Sequence, residues 1–247
     1  MYFLSHTCNT PAEDLALDEA LLDFAENRGA QEPPWEVLRL WEPARKAVVI
    51  GNSSSHVSEV DVEACRRLDV DVLRRTSGGA AVTVGPGCLM YSVVLSYEAR
   101  PELRAIDLAH RTVLETVLRA VRRFVPDAER RGTSDLAVAE RKFSGNSLRC
   151  RRNALLYHGT LLYDFDLDAL AAVLAFAPRQ PEYRAARNHR DFVANLAVDR
   201  AGLSAALAEE FVAREPLTPA ELATLLAKAQ SLAAEKYGDR AWTERVP

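Results

Sequence analysis

The stretch Val70–Leu95, VDVLRRTSGGAAVTVGPGCLMYSVVL, contains the pattern that decides the fold of this chain. Three short runs within it are rich in valine and other strand-forming residues, and they are Val70–Leu73, Ala80–Val84 and Leu89–Leu95. Glycine-containing turns separate these runs, and no helical pattern lies between them. This arrangement favours mixed sheets over a regular alternation of strands and helices.

Further strand-like runs lie on both sides of this stretch. Two of them, Val37–Trp41 and Ala47–Ile50, precede it, and two or more strands are predicted within residues 135–163.

Three helices are predicted around the strands. The first begins at the capping box Thr10-Pro11-Ala12-Glu13 and is predicted to end at Gly29. The second lies within residues 105–124, where apolar residues recur at helical spacing. The third runs from the capping box Thr218-Pro219-Ala220-Glu221 to Gly238. Together the elements predict an α+β fold with helices packed against mixed sheets.

Composition and charge restrict the class of protein. The chain has 247 residues, of which 48% are hydrophobic and 27% charged, and its formal net charge is −4. These values are typical of a globular protein and give no support to binding of nucleic acid or a membrane surface, although a local basic cluster could recognise an acidic partner. No repeat or linker divides the sequence, so residues 1–247 are predicted to form one domain.

The cysteines and the N-terminus predict a cytoplasmic location. The four cysteines lie far apart without a Cys-x-x-Cys pair, which argues against a zinc site and a disulfide framework. The N-terminus lacks the pattern of a signal peptide, and no run approaches the roughly 20 apolar residues of a membrane span. We therefore expect a soluble protein with no membrane partner.

The first segment that carries chemistry is Arg74–Val82, RRTSGGAAV. Paired glycines between strands let the backbone approach a ligand, and an arginine with adjacent amides can hold a carboxylate or phosphate. The alternative is a tight hairpin, which is the commoner reason for such a glycine pair. No Gly-Lys-Ser/Thr follows the glycines, so a P-loop is excluded.

The second segment comprises Arg141–Arg149, RKFSGNSLR, and the nearby run Leu156–Leu162, LYHGTLL. Read alone, Lys142 would be a solvated lysine near a strand end. His158 would be a satisfied histidine at the edge of the core.

Taken in order, these segments resemble the lipoate-protein ligase A family of the biotin/lipoate ligase superfamily. The resemblance covers nearly the whole chain and rests on a combination of motifs. They are Asp18-Glu19-Ala20-Leu21-Leu22, Leu38-Arg39-Leu40-Trp41, Val48-Val49-Ile50-Gly51-Asn52, Arg74-Arg75-Thr76-Ser77-Gly78-Gly79, Ser134-Asp135-Leu136, Arg141-Lys142-Phe143-Ser144-Gly145-Asn146 and His158-Gly159-Thr160-Leu161-Leu162. The resemblance implies two packed mixed β-sheets flanked by helices, of the biotin/lipoate protein ligase catalytic-domain type.

The resemblance also implies a reaction. Such enzymes use ATP to convert lipoate or octanoate into an acyl-adenylate, and they pass the acyl group to a lysine of a lipoyl-accepting protein. A free carboxylate is a poor electrophile, and negative charge builds up while the mixed anhydride with AMP forms. Lys142 matches the family's charge-stabilising lysine and is predicted to be catalytic.

The same resemblance assigns residues to substrate and adenylate binding. Arg75 would hold the carboxyl or phosphate end, and Ser77-Gly78-Gly79-Ala80 would line the pocket. Asp135 would contact the nucleotide and its Mg²⁺. Asn146 and His158 are predicted to be wall residues, and a structural role fits His158 equally well.

The sequence departs from the family pattern beside the glycines. Ala80 replaces the third glycine, Val84-Gly85 replaces a His-Asp pair, and Ser134 stands where the family usually has Asn. The turn Gly85-Pro86-Gly87 is instead similar to the octanoyltransferase branch of the superfamily. The acyl site is therefore matched more closely than the adenylate site.

Cysteine positions distinguish a ligase from a transferase, because the transferases form a thioester on a cysteine. One transferase group has this cysteine at the position of Arg130, and another has it near Ala177-Pro178. Neither position holds a cysteine here. Cys88 and Cys150 could lie near the pocket, but a structural thiol is the better interpretation of both.

The C-terminal sequence bears on the partners. Residues 235–242 resemble the junction that follows the family's catalytic domain, and the chain stops at Pro247. We therefore expect either a separate small accessory subunit or a reaction without adenylation. The expected acceptor is a lipoyl domain or a protein similar to the glycine-cleavage H protein.

Three hypotheses remain open. The chain is a lipoate-protein ligase catalytic subunit, a cysteine-dependent octanoyl or lipoyl transferase that needs no ATP, or a non-catalytic acyl-binding relative. The retained Lys142 argues against the last.

Overall fold

The computed structural model describes residues 1–28, 32–175 and 180–246. Its strands are β1 Tyr2–Ser5, β2 Val37–Trp41, β3 Ala47–Ile50, β4 Asp71–Arg74, β5 Val82–Val84, β6 Cys88–Ser96, β7 Glu129–Arg131, β8 Asp135–Val138, β9 Arg141–Cys150, β10 Ala154–Leu162 and β11 Glu215–Pro216. Its α-helices are α1 Pro11–Glu26, α2 His56–Glu59, α3 Val62–Arg67, α4 Ile106–Arg122, α5 Leu167–Val173, α6 His189–Phe192, α7 Arg200–Glu210, α8 Pro219–Leu232 and α9 Arg240–Glu244. Short 3₁₀ turns cover Pro101–Arg104 and Glu182–Arg184, and a π-helical turn covers Ala233–Tyr237.

The strands form two mixed sheets. The larger sheet has the order β11-β1-β2-β6-β10-β9-β8-β7, and the smaller has the order β4-β3-β5. In the larger sheet β1 is parallel to β2, whereas β6, β10 and β9 pair antiparallel. In the smaller sheet β3 is parallel to β4 and antiparallel to β5. The predicted α+β fold with two mixed sheets flanked by helices is therefore confirmed.

Successive side chains of β6 point to opposite faces of the larger sheet, and each face carries its own part of the hydrophobic core. Met90 and Val94 point into a cluster that also contains residues of α1, α8 and the smaller sheet. Tyr91 and Val93 point the other way, into a cluster with α4 and α7. The two sheets thus pack through the first cluster, and side chains on that face of β6 and β10 can reach the space between the sheets.

The predicted helices are present with small changes at their ends. Both capping boxes form, at Thr10 with Glu13 and at Thr218 with Glu221. Helix α1 ends at Glu26, and the predicted stop at Gly29 lies outside the described residues. Helix α8 passes into the π-helical turn, and the amide of Gly238 closes it by donating to the carbonyl of Ala233 at 2.7 Å.

No helix in the described ranges combines the length and the apolar character needed to cross a membrane.

Candidate active site

A cavity of about 400 Å³ lies between the two sheets. Its apolar wall is formed by side chains of both sheets and α1, among them Leu15, Val49, Val84 and Met90. Its polar wall brings together residues that are far apart in sequence: Arg75, Gly79, Ala80, Asp135, Lys142, Asn146, Ser147 and His158. An apolar cavity with a few converging polar groups is the usual form of a small-molecule site.

The backbone of residues 77–80, the glycine loop, forms part of this wall. It fits there because Gly51, which packs against it, has no side chain. A Cβ atom added to Gly51 would lie 1.9 Å from the carbonyl oxygen of Gly79. The hydroxyl of Ser54 donates to that oxygen at 3.0 Å, and Ser147 Oγ donates to the carbonyl of Gly78 at 2.9 Å. Gly79 itself has φ +88°, which favours glycine.

Arg75 holds this loop from inside. Its guanidinium donates to the carbonyl oxygens of Val49 at 2.8 Å, Gly78 at 2.6 Å and Ala80 at 3.0 Å. It also donates to Ser77 Oγ at 3.1 Å. Burial lowers the pKa of Arg75 to about 10, so it remains charged at neutral pH. Arg75 lines the cavity, but these hydrogen bonds join its guanidinium to the protein's own backbone and to Ser77, which gives it a role in shaping the loop.

Lys142 and Asp135 face each other across the β8–β9 hairpin. Lys142 Nζ lies 2.7 Å from Asp135 Oδ1, and the hydroxyl of Tyr183 donates to Asp135 Oδ2 at 2.9 Å. A Cβ atom on Gly145 would lie 3.0 Å from Lys142 Nζ, so the glycine leaves space for the ammonium group. Asp135 is buried, and Lys142 keeps 26% of its side chain exposed.

Asn146 fixes the segment that precedes Asp135. Its amide nitrogen donates to the carbonyl of Ser134 at 2.7 Å, and Tyr91 donates to its amide oxygen. A Cβ atom on Gly159 would lie 1.8 Å from that oxygen, so the glycine in β10 is required for this contact. Asn146 therefore lines the cavity and also positions Ser134 and Asp135.

His158 belongs to a buried polar chain that leads away from the cavity. Its Nε2 lies 2.6 Å from Ser77 Oγ, and its Nδ1 lies 3.5 Å from Asp18 Oδ2. Arg39 in turn donates to Asp18 Oδ1 at 2.7 Å. Burial alone would raise the pKa of Asp18, but Arg39, His158 and Ser92 together bring it below its usual value. Asp18 and Arg39 fall within motifs of the family resemblance, yet the sequence did not indicate that they support His158.

A smaller cavity of about 110 Å³ adjoins the first. Both cavities are lined by Lys142, Gly145, Thr160, Pro181 and the segment 80–82. The smaller one is otherwise mostly apolar, with Leu170, Leu174, Phe192 and Val193 among its lining residues. Its wall from Pro181 to Val193 has no periodic pattern, and sequence reasoning missed it.

The four cysteines are free and do not line either cavity in the described part of the chain. Cys88 is fully buried, and burial followed by the charge of Glu42 raises its pKa well above the usual range. Cys150 is exposed at the end of β9. A catalytic thiol needs the opposite shift and access to substrate. Arg130 lies in β7, and the Ala177-Pro178 position lies outside the described residues.

Within residues 1–28, 32–175 and 180–246, no three His, Cys, Asp or Glu side chains are grouped closely enough to hold a metal ion. Asp135 already accepts hydrogen bonds on both oxygens.

The relatives of this chain include lipoate-protein ligases and octanoyltransferases. The chain is 27% identical over 197 residues to lipoate–protein ligase 1 of Staphylococcus aureus, a match that spans 79% of this chain and 56% of that protein. It is 32% identical over 206 residues to octanoyltransferase LipM of Carboxydothermus hydrogenoformans, which spans 74% of this chain and 72% of the relative. The chain thus spans little more than half the length of the ligase relative.

Solved structures with the same fold include ligand complexes. The bi-partite lipoate protein ligase of Thermoplasma acidophilum, described with its E2 lipoyl domain, has a TM-score of 0.81 and 26% identity, and the match covers 100% of this chain and 96% of that chain. A T. acidophilum protein with bound lipoic acid gives a TM-score of 0.80 and 25% identity, with 99% of each chain covered. Lipoate-protein ligase A bound with ATP gives a TM-score of 0.76 and 27% identity, covering 100% of this chain and 99% of that chain.

The sequence model of the lipoyl protein ligase A/B catalytic domain matches residues 10–213, which include the glycine loop, Lys142 and His158. The chain therefore belongs to the lipoyl protein ligase A/B catalytic-domain family.

Proposed function

We propose that this chain activates lipoate or octanoate with ATP and transfers the acyl group to a lysine of a lipoyl-accepting protein. The observation that carries the proposal is the position of Lys142, which lines both the larger cavity and the smaller one. A fixed ammonium group at this junction can act on a carboxylate held in the larger cavity and on a phosphate brought beside it.

The larger cavity suits the acyl substrate. Leu15, Val49, Val84 and Met90 offer an apolar wall to a medium-length chain, and Lys142 offers a cation to its carboxylate. The bound lipoic acid of the T. acidophilum neighbour supports lipoate as the substrate. In this proposal the amides and carbonyls of loop 77–80, held by Arg75, shape the wall beside the carboxylate.

The nucleotide would bring its α-phosphate to Lys142 at the junction of the two cavities, and the ATP bound to a neighbouring ligase supports a nucleotide substrate. Mg²⁺ would arrive with the ATP phosphates as part of the substrate, since Mg²⁺ is usually held by substrate phosphates and one or two carboxylates. Asp135 is the carboxylate beside Lys142 that such a cation would meet.

The proposed chemistry has two steps. A carboxylate oxygen of the acyl substrate attacks the α-phosphorus, a C–O–P linkage forms, and the bond to the β-phosphate oxygen breaks to release pyrophosphate. Lys142 stabilises the negative charge on the carboxylate and the α-phosphate during this step. The amine of the acceptor lysine then attacks the acyl carbon, an amide forms, AMP leaves with the electron pair of the broken C–O bond, and the amine gives up a proton.

A cysteine-dependent octanoyltransferase is the second candidate. The match to LipM over 72% of that relative's length favours it. A transferase would attack an acyl donor with a thiolate and release the donor's carrier, leaving a thioester. The buried Cys88 and the exposed Cys150 line neither cavity, so we place the ligase first. A non-catalytic relative is disfavoured, because Lys142 faces the cavity.

We further propose the partners and the location. The acceptor is a lipoyl domain or a glycine-cleavage H-like protein, and the first is supported by the E2 lipoyl domain described with the Thermoplasma ligase. That ligase is bi-partite, which supports testing a separate small accessory subunit as well. A cytoplasmic location is supported by the four free cysteines.

The test is formation of the adenylate itself. Purified protein with lipoate and MgATP should release pyrophosphate and form lipoyl-AMP, which mass spectrometry of the quenched mixture detects. The same assay with octanoate establishes the preferred acyl chain. Absence of pyrophosphate and of both acyl-adenylates, with and without an accessory subunit, would refute the ligase assignment.

A further inference from the structure

Residues 180–193, which we call the strap, lie over the junction of the two cavities. Gln180 and Pro181 line the larger cavity, and Pro181, His189, Phe192 and Val193 line the smaller one. The strap reaches the polar wall through Tyr183, whose hydroxyl donates to Asp135 Oδ2 at 2.9 Å.

Tyr183 is held firmly at this point. The carbonyl of Tyr183 accepts a hydrogen bond from Arg187 at 2.7 Å, and the same guanidinium nitrogen donates to the carbonyl of Glu140 at 2.9 Å. The ring of Tyr183 packs on Phe192 with 5.2 Å between centroids. The strap is thereby tied to the turn between β8 and β9, two residues before Lys142.

Tyr183 remains a donor throughout the working pH range. Burial, followed by the charge of Asp135 and the hydrogen bond to it, raises the pKa of the Tyr183 phenol well above its usual range. Each oxygen of Asp135 thus has a different fixed partner, with Tyr183 on Oδ2 and Lys142 on Oδ1.

We propose that Tyr183 is a positioning residue, which acts on Lys142 through Asp135. The hydroxyl fixes the rotation of the carboxylate, and the carboxylate then fixes the ammonium group at the cavity junction. This inference rests on the proposed function for its effect on turnover. The geometric part, that Tyr183 restrains Lys142, does not depend on which acyl transfer the protein performs.

The test compares Tyr183→Phe with the matched control Tyr163→Phe. Tyr163 also donates to a carboxylate, Glu42 at 2.7 Å, but Glu42 lines neither of the two cavities, whereas Asp135 lines the larger one. Loss of one charge-assisted hydrogen bond should lower kcat for adenylate formation about tenfold in the Tyr183 variant. KM for the acyl substrate should stay within about twofold, because the apolar wall is intact. The Tyr163→Phe control should keep the kcat and KM of the wild type. The two variants should unfold at the same midpoint temperature.

A double-mutant cycle separates positioning from a general effect on the strap. In an Asp135→Ala background no side-chain atom is left at this position to form a hydrogen bond with Tyr183, so adding Tyr183→Phe should change kcat by less than about twofold. An equal tenfold loss in both backgrounds would overturn the inference in favour of a structural role. Unchanged turnover of the single variant would overturn it as well.

A readout on the ligand-free protein distinguishes failure of this inference from failure of the proposed function. An ammonium group held by a carboxylate reacts slowly with an acylating reagent such as acetic anhydride. Peptide mass spectrometry should therefore show faster acetylation of Lys142 in Tyr183→Phe than in the wild type or in Tyr163→Phe. Equal labelling rates would overturn the inference, whatever the wild-type protein catalyses.

Discussion

Lys142 offers the sharpest test at the scale of single residues. Changing Lys142→Ala should lower adenylate formation roughly a hundredfold to a thousandfold, the usual effect of losing one charge-stabilising donor. The free energy of unfolding should fall by about 1 to 3 kcal/mol, because the variant leaves the buried Asp135 carboxylate without its ammonium partner. Lys46→Ala is the matched control, since Lys46 Nζ lies 2.6 Å from Asp166 outside both cavities. Near-normal turnover of the Lys142 variant would contradict the mechanism.

Thr83 allows a prediction about stability. It is buried in β5 against the smaller cavity, and its hydroxyl has no hydrogen-bond partner in the described structure. Thr83→Val should therefore raise the free energy of unfolding by about 1 kcal/mol, as measured by urea denaturation. Thr160→Val is the control. Thr160 Oγ1 accepts a hydrogen bond from the amide of Gly145 at 3.0 Å, so removal of this hydroxyl should lower the free energy of unfolding. A Thr83 variant no more stable than the wild type would contradict this interpretation.

Individual residues could be predicted from the sequence to different extents. The resemblance located Lys142, Asn146 and His158, and the structure brings all three to the cavity. It could not show that the guanidinium of Arg75 points into its own loop, because the direction of a side chain depends on contacts such as the one with Val49. Tyr183 gave no signal, since its role exists only through its long-range contact with Asp135.

At the scale of elements, the packing of α1 against β2 predicts a dependence of stability on pH. Asp14 of α1 is buried beside Arg39 of β2, and burial raises the pKa of Asp14 to about 6 despite the favourable charge of Arg39. The folded state therefore binds a proton more readily than the unfolded state, whose Asp has the ordinary pKa of about 4. Stability from this group is present at low pH and is lost as the pH rises through about 4 to 6.

Asp14→Asn removes this contribution. Between pH 4 and pH 6.5 the free energy of unfolding should fall by up to about 3 kcal/mol more in the wild type than in the variant. This difference follows because folding raises the pKa of Asp14 by about two. Urea denaturation at a series of pH values measures both curves. Parallel curves would show that Asp14 does not titrate in this range.

Local chemistry explains which elements were predictable. Thr10 and Thr218 begin their helices through side-chain bonds to residues three positions away, and the runs Val37–Trp41 and Ala47–Ile50 form strands with the predicted bounds. The strap could not be predicted, because its short turns carry no periodic pattern and it lies over the cavity through contacts with β8 and β9.

At the scale of the whole molecule, the cavity depends on how the two sheets pack. Strands β6 and β10 place Met90 and His158 on the face that meets the smaller sheet, where Val49 and Val84 complete the wall. Sequence pattern identified the strands, and the resemblance implied two packed sheets. The strand order could not be derived from local pattern, because the pairs join residues far apart in the chain. That residues 1–247 form one domain stays a prediction.

The central claim, ATP-dependent acylation without an enzyme thioester, is tested most directly by the intact mass of an acceptor lipoyl domain. The domain is incubated with lipoate and either wild-type protein or the double variant Cys88→Ser and Cys150→Ser, with and without MgATP and with a candidate accessory subunit. We predict that the lipoyl adduct forms with both proteins and only when ATP is present. It should form faster with the accessory subunit, because closure over the adenylate excludes water. A parallel incubation replaces lipoate and MgATP with an octanoyl or lipoyl carrier protein as the donor. Acylation in that mixture, with a thioester on the wild-type protein and no transfer by the double variant, would contradict the ligase account.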